Sequence, residues 1–244
     1  MRTAQNEQPQ VMKLSVIICT FNEKDTIVEL ITRVRAAKLP VGWAREIFVV
    51  DNLSTDGTRG LLANLEGDED LKIIYQEVNK GKSHSVRRAI PYCTGDLVMP
   101  QDADLEYNPN DYQKLIDKLL LEDLDVVIGS RGIKKNAYHA YKLNEWGIAK
   151  LTWLTNFIFK TRYTDVATCY KLMRTEKLKG LSLKSNGFNL DFELCAKFAK
   201  HNWRIGEASI QYQARTFKEG RKMRPLTGGF GALWTIMREA VVPD

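Results

Sequence analysis

The chain has 244 residues, 44% hydrophobic and 27% charged, which suffices for one large α/β domain and excludes a disordered polyelectrolyte. Thirty-six Lys and Arg against thirty Asp and Glu leave a formal charge of +6, which suits anionic partners without choosing among phosphates, nucleic acid and acidic headgroups. The four cysteines (Cys19, Cys93, Cys169, Cys195) form no C-x-x-C pair, so neither a disulfide framework nor a zinc site is expected, and reduced thiols in a cytosolic protein are.

Residues 1–13 are polar and read as a disordered tail with no apolar signal-peptide core. Leu14–Thr20 is a short β-branched run, a buried strand. Ile27, Leu30, Ile31 and Val34 then recur at helical spacing, with Asp25 as the expected N-cap. The alternation continues with a strand at Glu46–Asp51, a helix at Thr55–Leu65, a strand at Leu71–Tyr75 and a helix at Lys82–Ile90. Leu97–Pro100 is a strand, Asn110–Leu121 a helix and Asp125–Gly129 a strand. Strands separated by single helices predict a Rossmann-like, mostly parallel sheet with helices on both faces. Ligands bind such sheets at the carboxyl ends of the strands. Those ends carry Thr20-Phe21-Asn22-Glu23, Asp51-Asn52, Gln101-Asp102-Ala103-Asp104 and Ser130-Arg131.

The second half is less regular. From Tyr138 to Phe159 aromatic and aliphatic residues, Trp146 and Trp153 among them, sit beside lysines, and Glu145 is the only acid between Arg131 and Arg162. This is either an interfacial helix or a core-facing helix with a basic outer face. Phe230–Met237 is too short to span a bilayer, as is every other apolar run. Gly81-Lys82-Ser83 imitates the end of a P-loop, but Gln76 stands where that motif needs glycine. Three histidines share no metal-ligand spacing.

The sharpest chemical signal is Asp102-Ala103-Asp104 after a strand. In an extended loop residues i and i+2 point the same way, so the two carboxylates converge, and Glu106 continues the series. Hard oxygen ligands of this kind suit Mg²⁺ or Mn²⁺, which keeps waters and binds substrate phosphates as well. Asp51 either accepts a hydrogen bond from a nucleobase or caps the helix starting near Thr55. Asn79-Lys80-Gly81-Lys82 is a basic turn before a helix, suited to anion contact.

These stretches, followed by Gly129-Ser130-Arg131, Asp165 to Arg174, Phe188 to Glu193 and Arg215 to Lys222, occur in the order found in family 2 glycosyltransferases of GT-A fold. The chain most resembles the dolichol- and polyprenyl-phosphate sugar synthases, across roughly residues 14–238. The resemblance implies one GT-A domain, with residues 14–131 binding the nucleotide sugar, residues 132–238 binding the acceptor and 239–244 a tail. It implies that Thr20, Phe21, Glu23, Asp51, Lys82 and Ala103 contact the donor, GDP-mannose or a UDP-hexose. Asp102, Asp104 and Glu106 are implied to hold Mg²⁺ or Mn²⁺ on its diphosphate. Arg215 and Lys222 are implied to close over the phosphates. Arg131 and Arg174 are implied to face the sugar or acceptor phosphate, against the alternatives of a strand-end salt bridge and a surface cation. Asp191 is either a general base or a residue that orders an active-site lysine or the Arg215 loop.

By the same resemblance the reaction is inverting transfer to a polyprenyl or dolichyl phosphate by a protein peripheral to the cytoplasmic face of a membrane, with a membrane-embedded partner protein as a further candidate. The alternatives are transfer to a sugar hydroxyl and a non-catalytic RNA- or lipid-binding module. Nucleic acid is not expected as a partner, because no RNP-like aromatic motif is present. Cys19 stands where these synthases often have Pro, and Asn52 where a second Asp is common.

Overall fold

A computed structural model describes residues 11–133, 137–138, 142–215 and 225–242. In chain order the first half gives β1 (Lys13–Thr20), α1 (Ile27–Ala36), β2 (Ala44–Asp51), α2 (Thr58–Ala63), β3 (Leu71–Tyr75), α3 (Lys82–Ala89), β4 (Leu97–Asp102), α4 (Tyr112–Leu121) and β5 (Val126–Ser130). The second half gives β6 (Ala137–Tyr138), α5 (Lys142–Phe159), β7 (Lys171–Arg174), α6 (Thr175–Lys179), α7 (Leu190–Lys200), β8 (Ile205–Ser209), β9 (Tyr212–Gln213) and α8 (Pro225–Val241). The main sheet runs β3-β2-β1-β4-β7-β5-β8, and the small one pairs β6 with β9. Every pairing in the main sheet is parallel except those of β7, which is antiparallel to both neighbours.

Alternation along the central strands divides the core. Leu14, Val16 and Ile18 of β1, with Ile47 and Val49 of β2, pack against α1 and α4. Ile17, Phe48 and Val50 point the other way, into a second cluster built with α3, α7 and α8. Both faces are therefore covered, which is why these strands read as nearly continuous apolar runs. The α1 positions Ile27, Leu30, Ile31 and Val34 are all buried, as their spacing requires.

Four expectations need correction. Thr26, not Asp25, precedes α1, and its hydroxyl bonds Ala103 O (2.7 Å) and the Glu23 carboxylate (3.0 Å) instead of capping the helix. The helix expected from Thr55 starts at Thr58, after Gly57 in a left-handed conformation, so Asp51 does not cap it. Lys13 already pairs with Ala44, so the sheet starts inside the expected tail, of which residues 1–10 lie outside the described set. At the other end α8 continues through Val241 and buries Glu239, so 239–241 belong to the fold.

Candidate active site

Parallel register assembles the site. Thr20 lies beside Asp51, and Cys19 beside Asp102, so the carboxyl ends of β1, β2 and β4 meet at one rim. The Thr20 hydroxyl is buried there and has no hydrogen-bond partner. A buried polar atom without a partner is costly in a closed core and is explained where a ligand completes it.

The chain does not stay extended through the acidic stretch. β4 ends at Asp102, Leu105 has φ of 62°, and the Glu106 amide donates back to Asp104 Oδ1 at 3.2 Å. In this turn each of the three carboxylates has partners of its own. Asp102 Oδ1 lies 2.7 Å from Lys82 Nζ, and Asp104 Oδ2 lies 3.3 Å from Arg215 Nη2. Glu106 accepts from the Tyr212 hydroxyl (2.6 Å) and from the Arg215 amide (2.7 Å). The expected three-carboxylate metal set is therefore not formed: among the described residues no group of three such ligands converges.

Asp104 remains suited to a cation. Burial pushes its carboxyl up to about 7, Asp102 and Glu106 add to the rise, and Arg215 opposes it. Negative charge in this pocket is thus short of compensation. Mg²⁺ and Mn²⁺ characteristically take one or two carboxylates and complete their shell with waters and substrate phosphates. The residues present fit that pattern, with Asp104 foremost and Asp102 beside it.

Arg215 also bridges two acidic side chains of the rim. Its guanidinium donates to both oxygens of Glu23 at 3.0 and 3.1 Å while reaching Asp104, and its Nε is buried without a partner. Phe21 and Ala103 lie on the same rim, Phe21 half-buried and Ala103 buried. Lys222 lies outside the described residues.

Asp51 is fully buried and already engaged. Arg59 Nε donates to it at 2.6 Å and the Ser54 amide at 3.2 Å, while the Arg59 guanidinium covers the Tyr75 ring at 5.5 Å. Nothing in the spacing of Asp51 and Arg59 marked that pair beforehand. Asn52 explains its own presence: its amide nitrogen donates to Asn79 Oδ1 (2.8 Å) and its oxygen accepts from the Lys80 amide (3.1 Å). An aspartate could make only the second bond, so Asn52 ties the basic turn to the rim. That turn is fixed further by Gly81, φ 82°, where an added Cβ would lie 2.6 Å from Gly187 Cα.

A line of alternating charge runs inward from the acidic turn. Lys82 lies between Asp102 and Asp191 (3.5 Å), and Asp191 in turn meets Lys171 at 3.3 Å. Burial opposes the charge on Lys82, but Asp102 and Asp191 outweigh it and hold the ammonium well above its usual range. Lys171 has no exposed surface and also donates to Val166 O and Thr168 O. No role for Lys171 is legible along the chain, because a lysine in a short strand looks like a solvated edge position.

The two arginines expected at the acceptor are placed differently. Arg131 is buried in a two-pronged pair with Asp165, at 2.7 and 2.9 Å, and lies over the Tyr212 ring at 4.9 Å. Its salt-bridge alternative is the one observed. Arg174 pairs across the sheet with Leu97, the first residue of β4, and so sits at the end of the strands remote from Asp102. There it bonds Asp123 (3.0 Å) and Leu124 O (3.1 Å) and takes no part in this site.

Known proteins place this arrangement. A dolichol-phosphate mannosyltransferase of Pyrococcus furiosus is 30% identical over 189 residues, 76% of this chain and 53% of that protein. A dodecaprenyl-phosphate galacturonate synthase of Rhizobium johnstonii is 26% identical over 212 residues, 86% of this chain and 62% of that one. The chain thus spans little more than half the length of these relatives. Among solved structures, glucosyl-3-phosphoglycerate synthase of Mycobacterium tuberculosis, bound to Mn²⁺, UDP and glucosyl-3-phosphoglycerate, superposes with a TM-score of 0.72. It is 20% identical, over 96% of this chain and 81% of that one. The family profile of glycosyl transferase family 2 matches residues 15–181. The chain belongs to glycosyl transferase family 2, with a single α/β domain of GT-A fold.

Proposed function

We propose that this domain transfers a hexose, with inversion, from GDP-mannose or a UDP-hexose to a polyprenyl or dolichyl phosphate at the cytoplasmic face of a membrane. The observation that carries the choice of acceptor is the pairing of Asp191. A hydroxyl must lose its proton as it attacks, and so needs a carboxylate free to accept it. Asp191 is buried between Lys82 and Lys171, both of which its oxygens serve. A phosphate acceptor is already an anion near neutral pH and needs no base. The two relatives named for dolichol phosphate and dodecaprenyl phosphate support the same reading.

In this mechanism Thr20, Phe21, Glu23 and Asp51 line the nucleoside end of the donor. Asp104, with Asp102, would hold Mg²⁺ or Mn²⁺ against its diphosphate, and the ion when bound supplies positive charge to the leaving group. Arg215 exchanges its contacts with Glu23 and Asp104 for the diphosphate, joined by Lys222. Lys82 keeps Asp102 in place and adds a fixed charge behind the phosphates. An acceptor phosphate oxygen attacks the anomeric carbon in line, its bond forms, and the bond to the nucleoside diphosphate breaks.

The test pairs two measurements. A thermal-shift screen of GDP- and UDP-sugars with Mg²⁺ or Mn²⁺ identifies the donor. Labelled donor is then supplied with dolichyl phosphate, undecaprenyl phosphate or oligosaccharide acceptors. Label in a lipid-phosphate product is expected; label only in oligosaccharide would overturn the acceptor assignment.

A further inference from the structure

α5 and α8 each carry an apolar stripe that the described fold leaves uncovered. Trp146, Trp153 and Phe157 on α5, and Phe230, Trp234, Met237 and Val241 on α8, are between 47% and 79% exposed. On α8 the spacing is i, i+4, i+7, i+11. On α5 it is the same, with Lys150 at the second position, so each set occupies one helical face. The opposite faces are already used. Leu151, Leu154 and Ile158 of α5 pack on the second core cluster, and Ala232 and Ile236 of α8 lie within it. The two helices pack together on the same side of the sheet, so their outward stripes face the same way. The outer apolar surface is therefore additional to what folding needs, and larger than scattered exposed residues explain.

We propose that this double stripe is a docking surface for an anionic lipid bilayer, lying in the headgroup layer without crossing it. Its chemistry selects that occupant. Lys150 Nζ sits 3.5 Å from the centre of the Trp146 ring, Trp153 stacks on Phe157, and Lys160 and Arg162 are exposed where α5 ends. Indole rings with adjacent cations suit the boundary between acyl chains and phosphates. A second copy apposed through a two-fold axis would press this basic patch against the same patch of its partner. Glu145 is the one exposed acid among the described side chains of α5 and α8, since Glu239 is buried, so such a pair would lack counter-charge. Headgroup phosphates supply it. Among the described residues no helix is long and apolar enough to cross a membrane. In the chain α5 begins four residues after β6, whose partner β9 hydrogen-bonds Glu106 O through Gln213. The proposal rests on the lipid-phosphate reading for its purpose alone, not for its binding.

The full chain is mixed with vesicles of phosphatidylcholine, or of equal parts phosphatidylcholine and phosphatidylglycerol, and partitioning is read by sedimentation and tryptophan emission. Binding to the anionic vesicles is expected, with a blue shift, and raised salt should weaken it. Trp153→Ser with Trp234→Ser should lower partitioning by about tenfold or more, and Lys150→Glu should lower it further. Val41→Ser, at another exposed apolar position, should change nothing. Circular dichroism and nucleotide binding of the variants confirm that the fold survives. Absence of wild-type binding at low salt, or binding indifferent to Trp234→Ser and Phe230→Ser, overturns the proposal. So does a concentration-dependent dimer that the same substitutions dissolve while vesicles remain unbound. Because vesicle binding needs no donor or acceptor, its failure is separable from failure of the lipid-phosphate assignment, which rests on product analysis.

Discussion

Lys171 is an ammonium with no exposed surface, held by two carbonyl oxygens and one oxygen of Asp191. Removing Asp191's charge leaves that cation buried without its counter-ion, which costs about 3–5 kcal/mol. Asp191→Asn should therefore melt well below wild type, and Lys171→Met in the same chain should recover much of the loss. Turnover per folded molecule of Asp191→Asn should stay within roughly tenfold of wild type, since loss of a true general base costs about 10²–10⁴-fold. A collapse of turnover in a folded, donor-binding Asp191→Asn would point to a hydroxyl acceptor. Asp104 gives the opposite pattern. Its carboxyl is crowded by Asp102 and Glu106, so Asp104→Ala relieves repulsion and should leave the melting temperature unchanged or raised in chelator. Transfer should fall by about 10²-fold or more, and Mn²⁺-dependent nucleotide binding should weaken. Near-normal activity in Asp104→Ala would remove its assigned part in holding the ion.

At the scale of elements, β7 decides what the sequence could and could not disclose. The parallel strands β1 to β5 were legible because burial on both faces leaves continuous apolar runs, and the rim residues followed from the strand ends. β7 reads Lys-Leu-Met-Arg, two apolar residues between charges, and only its insertion between β4 and β5 makes it a strand. Its antiparallel direction puts Lys171 toward the active site and Arg174 at the far end, a direction that four residues read along the chain do not disclose. Arg131 was obscured differently: its partner Asp165 is thirty-four residues away, and no local spacing announces the pair. Arg174 instead helps hold Asp125. Burial raises that carboxyl, but hydrogen bonds from Arg204 and Lys177 outweigh it and bring it down to about 2. A depressed carboxylate contributes stability that is complete above its unfolded value near pH 4 and is lost as pH falls toward about 2. The contribution is about 2 kcal/mol. Asp125→Asn should lower stability by that order at neutral pH and flatten the acid limb between about pH 4 and pH 2. Arg174→Ala should cost at most about 1 kcal/mol and leave transfer within about twofold. A large loss of transfer with donor binding intact would return Arg174 to the acceptor.

The division into a donor half and an acceptor half, natural in a reading along the chain, does not correspond to units of folding. β5 is the last strand of residues 14–131, yet it pairs only with β7 and β8, which both follow it. Cut at 131, the chain would keep β3-β2-β1-β4 with one edge of β4 unpaired, and Val126, Val127 and Ile128, all fully buried in the whole molecule, would lose their sheet. The second face suffers as much, because Ile17, Phe48 and Val50 share their cluster with Leu190, Leu194, Phe198 and Ile236 from α7 and α8. An exposed strand edge beside uncovered apolar surface favours aggregation over cooperative folding. A fragment ending at residue 131 should therefore bind hydrophobic dye, lack a sharp thermal transition and fail to bind nucleotide, although it carries Thr20, Glu23, Asp51, Asp102 and Asp104. The whole chain should unfold in one transition, and nucleotide with Mn²⁺ at a hundred times its Kd should raise that transition as a unit, by about 2.7 kcal/mol. Calorimetry of both chains decides the matter. A fragment that melts sharply and shifts with nucleotide would show that the donor-binding half folds alone, and that β7 joins a preformed sheet instead of completing one.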